Sequence, residues 1–153
     1  MAAHEHWLLT DVPSDLLRPA FALGIERHYD AGAVIMREGE APDGLYLILS
    51  GSIRVTARNE HGETLLTLIR ANEVLGEMGV IDGEPRSGTA TALNPAVVFF
   101  LPTEAFLRLL EVSSLVSNRL LILLSERLRL ANRRLLELQP SGPVSRRTTP
   151  ITP

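Results

Sequence analysis

The chain has 153 residues, 45% of them apolar and 22% charged, which suits one globular domain that buries a core without metals or disulfides. It has no cysteine, which excludes thiol catalysis and cysteine-ligated zinc, and all 15 of its Lys/Arg positions are arginine, which excludes Schiff-base chemistry and a lysine-dependent phosphate loop. A formal charge of −3 gives no global reason to bind nucleic acid. The N-terminal run Met-Ala-Ala-His-Glu-His-Trp lacks the basic-then-apolar layout of a signal peptide. The leucine-rich stretch from Leu115 to Leu124 is interrupted by Asn118 and Arg119 and closed by Glu126. A cytoplasmic protein with no membrane span is therefore expected. His4 and His6 flank Glu5 without a third ligand, so a disordered terminus is expected there in place of a metal site. From Trp7 to Leu23, Thr10 and Ser14 precede Leu16, Leu17, Phe21 and Leu23, and Pro13 is tolerable at a helix start, which predicts a short helical cap.

From Gly24 to Leu101 short β-rich runs alternate with turn residues at roughly 8–12-residue spacing, the pattern of an all-β sandwich or barrel. The predicted strands are Ile25 to Tyr29, Val34 to Met36, Leu45 to Leu49, Ile53 to Arg58, Thr64 to Ile69, Thr89 to Leu93 and Ala96 to Leu101. These short strands fit an eight-stranded jelly roll, mainly β with flanking helices. Gly39, Gly44, Gly51 and Gly62 fall where turns are needed, and His28 and His61 read as surface residues.

Between the fifth and sixth of these runs lies Leu75-Gly76-Glu77-Met78-Gly79-Val80-Ile81-Asp82-Gly83-Glu84-Pro85-Arg86-Ser87-Gly88-Thr89. Its glycines and proline break any long helix or strand, and they hold one carboxylate and one guanidinium nine positions apart around the apolar turn Met78 to Ile81. A helix beginning near Gly76 would aim unpaired N–H groups and its positive dipole end at a ligand, which favours an anion. Arg86 supplies a planar fork for two phosphate oxygens, Ser87 a hydroxyl and an N–H beside it, and Gly76, Gly79 and Gly88 allow close backbone approach. Glu77 is acceptor-only, so beside a phosphate-binding arginine its partner is a hydroxyl donor such as a ribose 2′-OH.

Gly76 to Ala90 resembles the phosphate-binding cassette of cyclic nucleotide-binding domains, the family of bacterial catabolite activator proteins, protein kinase A regulatory subunits and cyclic-nucleotide-gated channels. The run Glu38 to Gly51 resembles the first half of the same family. The resemblance implies that Glu77 takes the ribose hydroxyl, that Arg86 pairs with the cyclic phosphate, and that backbone amides at Gly76, Gly79 and Ser87 complete a cradle that includes Met78. Leu75 stands where the family often has an aromatic residue, Gly88 where it usually has alanine, and Asn72 where it usually has glycine. Asparagine tolerates positive φ, so that turn survives the exchange.

Thr103 reads as an N-cap for a helix through Phe106, Leu107, Leu109 and Leu110 to about Val112. In the next helix Leu121, Leu124, Leu128, Ala131, Leu135 and Leu138 step by three and four residues, a heptad seam that predicts a homodimer, while Leu120, Leu123 and Leu130 lie off the stripe and can pack on the β-roll. The resemblance implies that this helix folds over the purine, with Arg127, Ala131 and Asn132 nearest the base and Asn132 able to pair with an adenine edge. Residues 1–138 then form the binding domain, with the β-roll at 24–101 and C-terminal helices at 103–138. The proline-rich stretch 139–153 is expected to be disordered.

The expected function is a stand-alone, non-enzymatic sensor of cyclic AMP in preference to cyclic GMP, with no cofactor. Its output would be movement of the C-terminal helix toward an effector protein that the sequence does not name. No DNA-binding domain is expected, because the chain ends where the helix-turn-helix of the transcription-factor branch would start. The alternative is a degenerate member of the fold acting as a ligand-independent interaction module. Such members typically lose the arginine or the glutamate, and here Arg86 and Glu77 are both present. A cupin-type enzyme would need clustered metal-binding histidines, which His28 and His61 do not supply.

Overall fold

The computed structural model describes residues 1–138, so the proline-rich stretch lies outside the described residues. Among these, two compact units separate at Leu120/Leu121. The first contains two four-stranded antiparallel sheets. Sheet A has the order β1-β8-β3-β6 and sheet B the order β2-β7-β4-β5. The strands are β1 (Ile25–Tyr29), β2 (Val34–Met36), β3 (Gly44–Ser50), β4 (Ser52–Asn59), β5 (Gly62–Arg70), β6 (Val74–Leu75), β7 (Thr89–Ala92) and β8 (Ala96–Pro102). Seven coincide with the predicted runs to within two residues. The eighth, β6, pairs only Tyr46 with Leu75 and Leu47 with Val74, too short to carry a periodic signal.

Burial follows from where each strand sits. β3 is internal in sheet A, and Leu45 to Leu49 are all buried, because one face meets the other sheet while the second is covered by helices. A strand covered on both sides reads as a continuous apolar run. Its Tyr46 and Ile48 join Ile35, Met36, Ile53, Val55, Ile69, Val98 and Phe100 in the core between the sheets. Each fully buried side chain of this kind contributes about 1.5–3 kcal/mol.

Helix α1 (Ser14–Leu23) covers β8 and packs against α3 (Thr103–Val112). The N-cap of α3 is Pro102, with no side-chain hydrogen bond, and not Thr103 as the sequence suggests. Thr103 is the first helical residue; its N–H bonds the Asp43 carbonyl and its Oγ1 is buried without a hydrogen-bond partner. The N-terminus also departs from expectation, since it is ordered. Residues Ala3–Glu5 form a 3-10 turn, and His6, Leu8 and Leu9 are fully buried. Apolar Leu8 and Leu9 anchor a segment whose first residues alone look like a frayed end.

The long helix α4 (Ser114–Leu138) begins in the first unit, where Val116 and Leu120 are buried and the Ser113 hydroxyl caps the Val116 N–H at 3.2 Å. The second unit starts within α4 at Leu121. There Leu121, Leu128 and Leu135 are 64%, 64% and 63% exposed, so the seven-residue stripe is unoccupied within the described chain.

Candidate functional site

Between β6 and β7 the chain forms α2 (Glu77–Asp82), a single short helix bounded by glycines in left-handed conformation at Gly76 (φ +86°) and Gly83 (φ +72°). An L side chain at Gly76 would be doubly unfavourable: its backbone lies in the region that favours glycine, and a Cβ would stand 2.5 Å from Arg86 Nη1. Gly79 is needed for contact, because a Cβ there would lie 2.7 Å from the Pro42 ring. Close packing of α2 on the loop before β3 is therefore written into Gly79, and close approach of Arg86 into Gly76. Glu77 opens the helix and is 1% exposed, an unusual place for a carboxylate, while Met78 is half-exposed.

Arg86 is also buried, at 4% exposure. Its main chain pairs with the segment before β3: the Arg86 N–H bonds the Glu40 carbonyl at 2.8 Å, and the Gly39 N–H bonds the Arg86 carbonyl at 2.9 Å. The guanidinium donates through Nη1 to the Gly76 carbonyl (3.0 Å) and through Nη2 to the Gly44 carbonyl (2.7 Å) and Asp43 Oδ1 (3.1 Å). It also lies 5.7 Å from the centroid of the Tyr46 ring. Three of five N–H donors are thus committed to the protein, and Nε–H and the second Nη1–H make up the remainder. Burial raises the pKa of Tyr46, and the nearby Asp43 carboxylate adds to the effect.

The fold therefore brings Gly76, Glu77, Met78, Gly79, Arg86 and Ser87 onto one short turn-helix-turn, with Arg86 folded back on Gly76. Sequence reasoning missed Asp43 and the Gly44 carbonyl. Asp43-Gly44 reads as an ordinary turn pair, and nothing in sequence spacing links it to an arginine 43 residues on. Gly44 is in fact a contact glycine within β3 and not a turn glycine: a Cβ there would lie 2.3 Å from the Leu101 carbonyl. Asn132 belongs to the second unit, where it is exposed on α4.

Two cavities lie elsewhere in the first unit. One of about 740 Å³ lies over the N-terminal cap, lined by residues that include Leu9, Asp11, Leu17 and Phe21, and one of about 380 Å³ is lined by Arg37, Glu38, Thr56, Arg58, Glu63 and Thr89 among others. Neither is lined by a residue of the run Gly76 to Ser87.

A family model for the cyclic nucleotide-binding domain matches residues 26–113, which contain both sheets from the second residue of β1 onward and the whole of α2 and its flanking turns. This chain belongs to the cyclic nucleotide-binding domain family. It is 31% identical over 111 residues to a CRP-like cAMP-activated global transcriptional regulator of Mycobacterium tuberculosis, covering 72% of this chain and 50% of that protein. It is 35% identical over 107 residues to the cyclic AMP receptor protein of Thermus thermophilus, covering 69% of this chain and 50% of that one. The crystal structure of Thermus thermophilus catabolite activator protein superposes with a TM-score of 0.74 at 31% identity, covering 86% of this chain and 62% of the other. The chain thus spans about half the length of these two curated relatives.

Three departures from the family's pattern have local explanations in this cyclic nucleotide-binding domain. Asn72 adopts φ +70°, as its turn requires, and its side chain accepts the Trp7 N–H at 2.6 Å. Leu75 is buried in the core between the sheets, which asks only for apolar volume. Gly88 lies so close to β4 that a Cβ would stand 2.9 Å from the Thr56 carbonyl, so the family's usual alanine would have to push β4 aside here. Among the described residues no helix is long and apolar enough to cross a membrane.

Proposed function

We propose that residues 1–138 form a regulatory, non-catalytic sensor of cyclic AMP, with cyclic GMP the weaker ligand, and that binding at the cassette is coupled to movement of α4 toward an effector protein. The observation that carries this reading is the seat of Arg86, a buried cation beside the start of α2 that commits three of its five N–H donors to the protein and keeps Nε–H and one Nη1–H outside those bonds. In it the cyclic phosphate pairs with the Arg86 guanidinium, the backbone amides of Gly76, Gly79 and Ser87 complete the cradle beside Met78, and Glu77 accepts the ribose 2′-OH. A ligand of about 22 non-hydrogen atoms at roughly 0.3 kcal/mol per atom gives about −7 kcal/mol, a micromolar dissociation constant.

One observation favours the ligand-independent reading: Arg86 already holds three protein acceptors, as a purely structural tie would. Calorimetric titration with cyclic AMP, cyclic GMP and 5′-AMP separates the two. Micromolar binding of cyclic AMP with weak 5′-AMP supports the sensor, and no heat with any of the three leaves the interaction module. The role of Glu77 is tested by comparing cyclic AMP with its 2′-deoxy analogue. Glu77→Ala should weaken cyclic AMP by about tenfold, in keeping with a lost charge-assisted hydrogen bond of about 1.5 kcal/mol, and leave the analogue almost unaffected. Equal penalties on both ligands would remove the ribose assignment.

The exposed stripe Leu121, Leu128 and Leu135 supports a homodimer through α4. Leu128→Glu should give a folded monomer by sedimentation and circular dichroism, because the charge would face its symmetry mate. A wild-type protein that stays monomeric at high concentration would refute the seam.

A further inference from the structure

The fully buried His6 is used by nothing in the cassette, yet its ring is satisfied at both nitrogens. Nε2–H donates to the Glu73 carbonyl at 2.9 Å, and Nδ1 accepts the Leu8 N–H at 3.1 Å, which fixes a neutral imidazole with its proton on Nε2. Two further bonds hold the same segment on the same side of the fold. The Trp7 N–H reaches Asn72 Oδ1 at 2.6 Å, and the Met1 amine reaches the Leu49 carbonyl at 3.4 Å. The receiving turn is held by the sheet, since Asn72 N–H bonds the Ile48 carbonyl and Ile48 N–H bonds the Glu73 carbonyl. Glu73 precedes β6, which runs directly into Gly76.

We propose that His6 is an acid-released latch that holds the N-terminal segment against the β5–β6 turn. A second proton can enter only at Nδ1, where it would face the Leu8 N–H donor, so the imidazolium cannot keep the Leu8 bond and stay in place. Burial lowers the ring's pKa from its ordinary 6.5, and the Glu73 carbonyl only partly opposes this. The charged groups on the elements around it are His4, Glu5 and Asp11 on its own segment, Arg70 and Glu73 at the turn, the Met1 amine, and Arg119 of α4, which bonds the Thr10 carbonyl and pairs with Asp11 at 3.7 Å. Among the described residues none of these makes an ion pair with His6, so no opposite charge steadies the protonated ring. The folded pKa lies below the unfolded one, so the latch is complete above about pH 6.5 and is lost progressively as pH falls.

The test needs no nucleotide and is independent of the sensor reading. Trp7 is the single tryptophan and adjoins the latch, so its fluorescence follows the segment in the full chain. The wild type should show a transition below about pH 6.5, with the protection factor of the Leu8 amide falling ~tenfold per pH unit, as uptake of one proton requires. His6→Gln offers a donor and an acceptor that do not titrate, and it should abolish the transition while His4, His28 and His61 remain. A transition that persists in His6→Gln, or a wild-type Trp7 signal flat to about pH 4.5, overturns the latch. Where His6→Gln fails to fold, NMR titration of the wild type decides. Protonation of His6 coincident with loss of Leu8 protection supports it, and protonation with Leu8 still protected overturns it.

Discussion

Replacing Arg86 by alanine should weaken cyclic AMP binding by at least about 30-fold, as measured by calorimetry. Truncating one member of a buried charged pair typically costs about 2–5 kcal/mol, and each 1.4 kcal/mol is roughly a factor of ten. The same change removes the donors that satisfy the Gly44 and Gly76 carbonyls, and a buried acceptor left unsatisfied costs about 1–3 kcal/mol. Binding and stability should therefore fall together. Arg86→Lys should restore little of either, because its three protein acceptors lie in different directions and a point charge on a flexible stem does not reproduce the fork. A folded Arg86→Ala protein that binds cyclic AMP as tightly as wild type would eliminate the proposed pocket while leaving the fold intact.

Gly44→Ala is expected to be strongly destabilising. The new Cβ would stand 2.3 Å from the Leu101 carbonyl and 2.6 Å from the Phe100 ring, and neither a backbone oxygen nor a buried aromatic ring can yield cheaply. Overpacking typically costs about 1–3 kcal/mol, and this contact belongs at or above the top of that range. For a domain of this size the melting temperature should drop by roughly 6–12 °C. Gly32→Ala is the control. It has positive φ but open space around its Cβ, so only backbone strain of about 1 kcal/mol applies. Because the Gly44 carbonyl accepts from Arg86, Gly44→Ala should also loosen the guanidinium and weaken nucleotide binding. Equal melting temperatures for the two variants would contradict the packing described here.

How much of this was legible beforehand depends on how far each signal reaches along the chain. Strands such as Ile25–Tyr29 and Val34–Met36 were fixed to the residue because turn-forming residues bracket them. β6 was missed because two residues have no period, and its existence depends on Tyr46 and Leu47 some thirty positions away. Within the cassette, Gly76, Glu77 and Arg86 could be singled out because residue type and spacing limit what they can do. Asp43 could not, since an aspartate before glycine has an adequate local explanation as a turn residue. His6 was misjudged for a related reason. Its partners at Leu8 and Glu73 are backbone groups, which no side-chain pattern announces.

The strand pairing also bears on how the protein is made. β1 pairs with β8, joining Ile25 to Phe100, and β2 pairs with β7, so each sheet is closed by strands from opposite ends of the β-region. Long-range closure of this kind is slow, because the entropy of the intervening loop is lost before the contacts that reward it have formed. A chain emerging from the ribosome has no partner for β1 until β8 is out, and the scaffold under Arg86 needs β3 paired to β8 at Gly44↔Pro102. The scaffold of the proposed nucleotide site therefore cannot be completed before β8 is available. On the proposed function, ligand present during synthesis would act by holding the finished protein against unfolding.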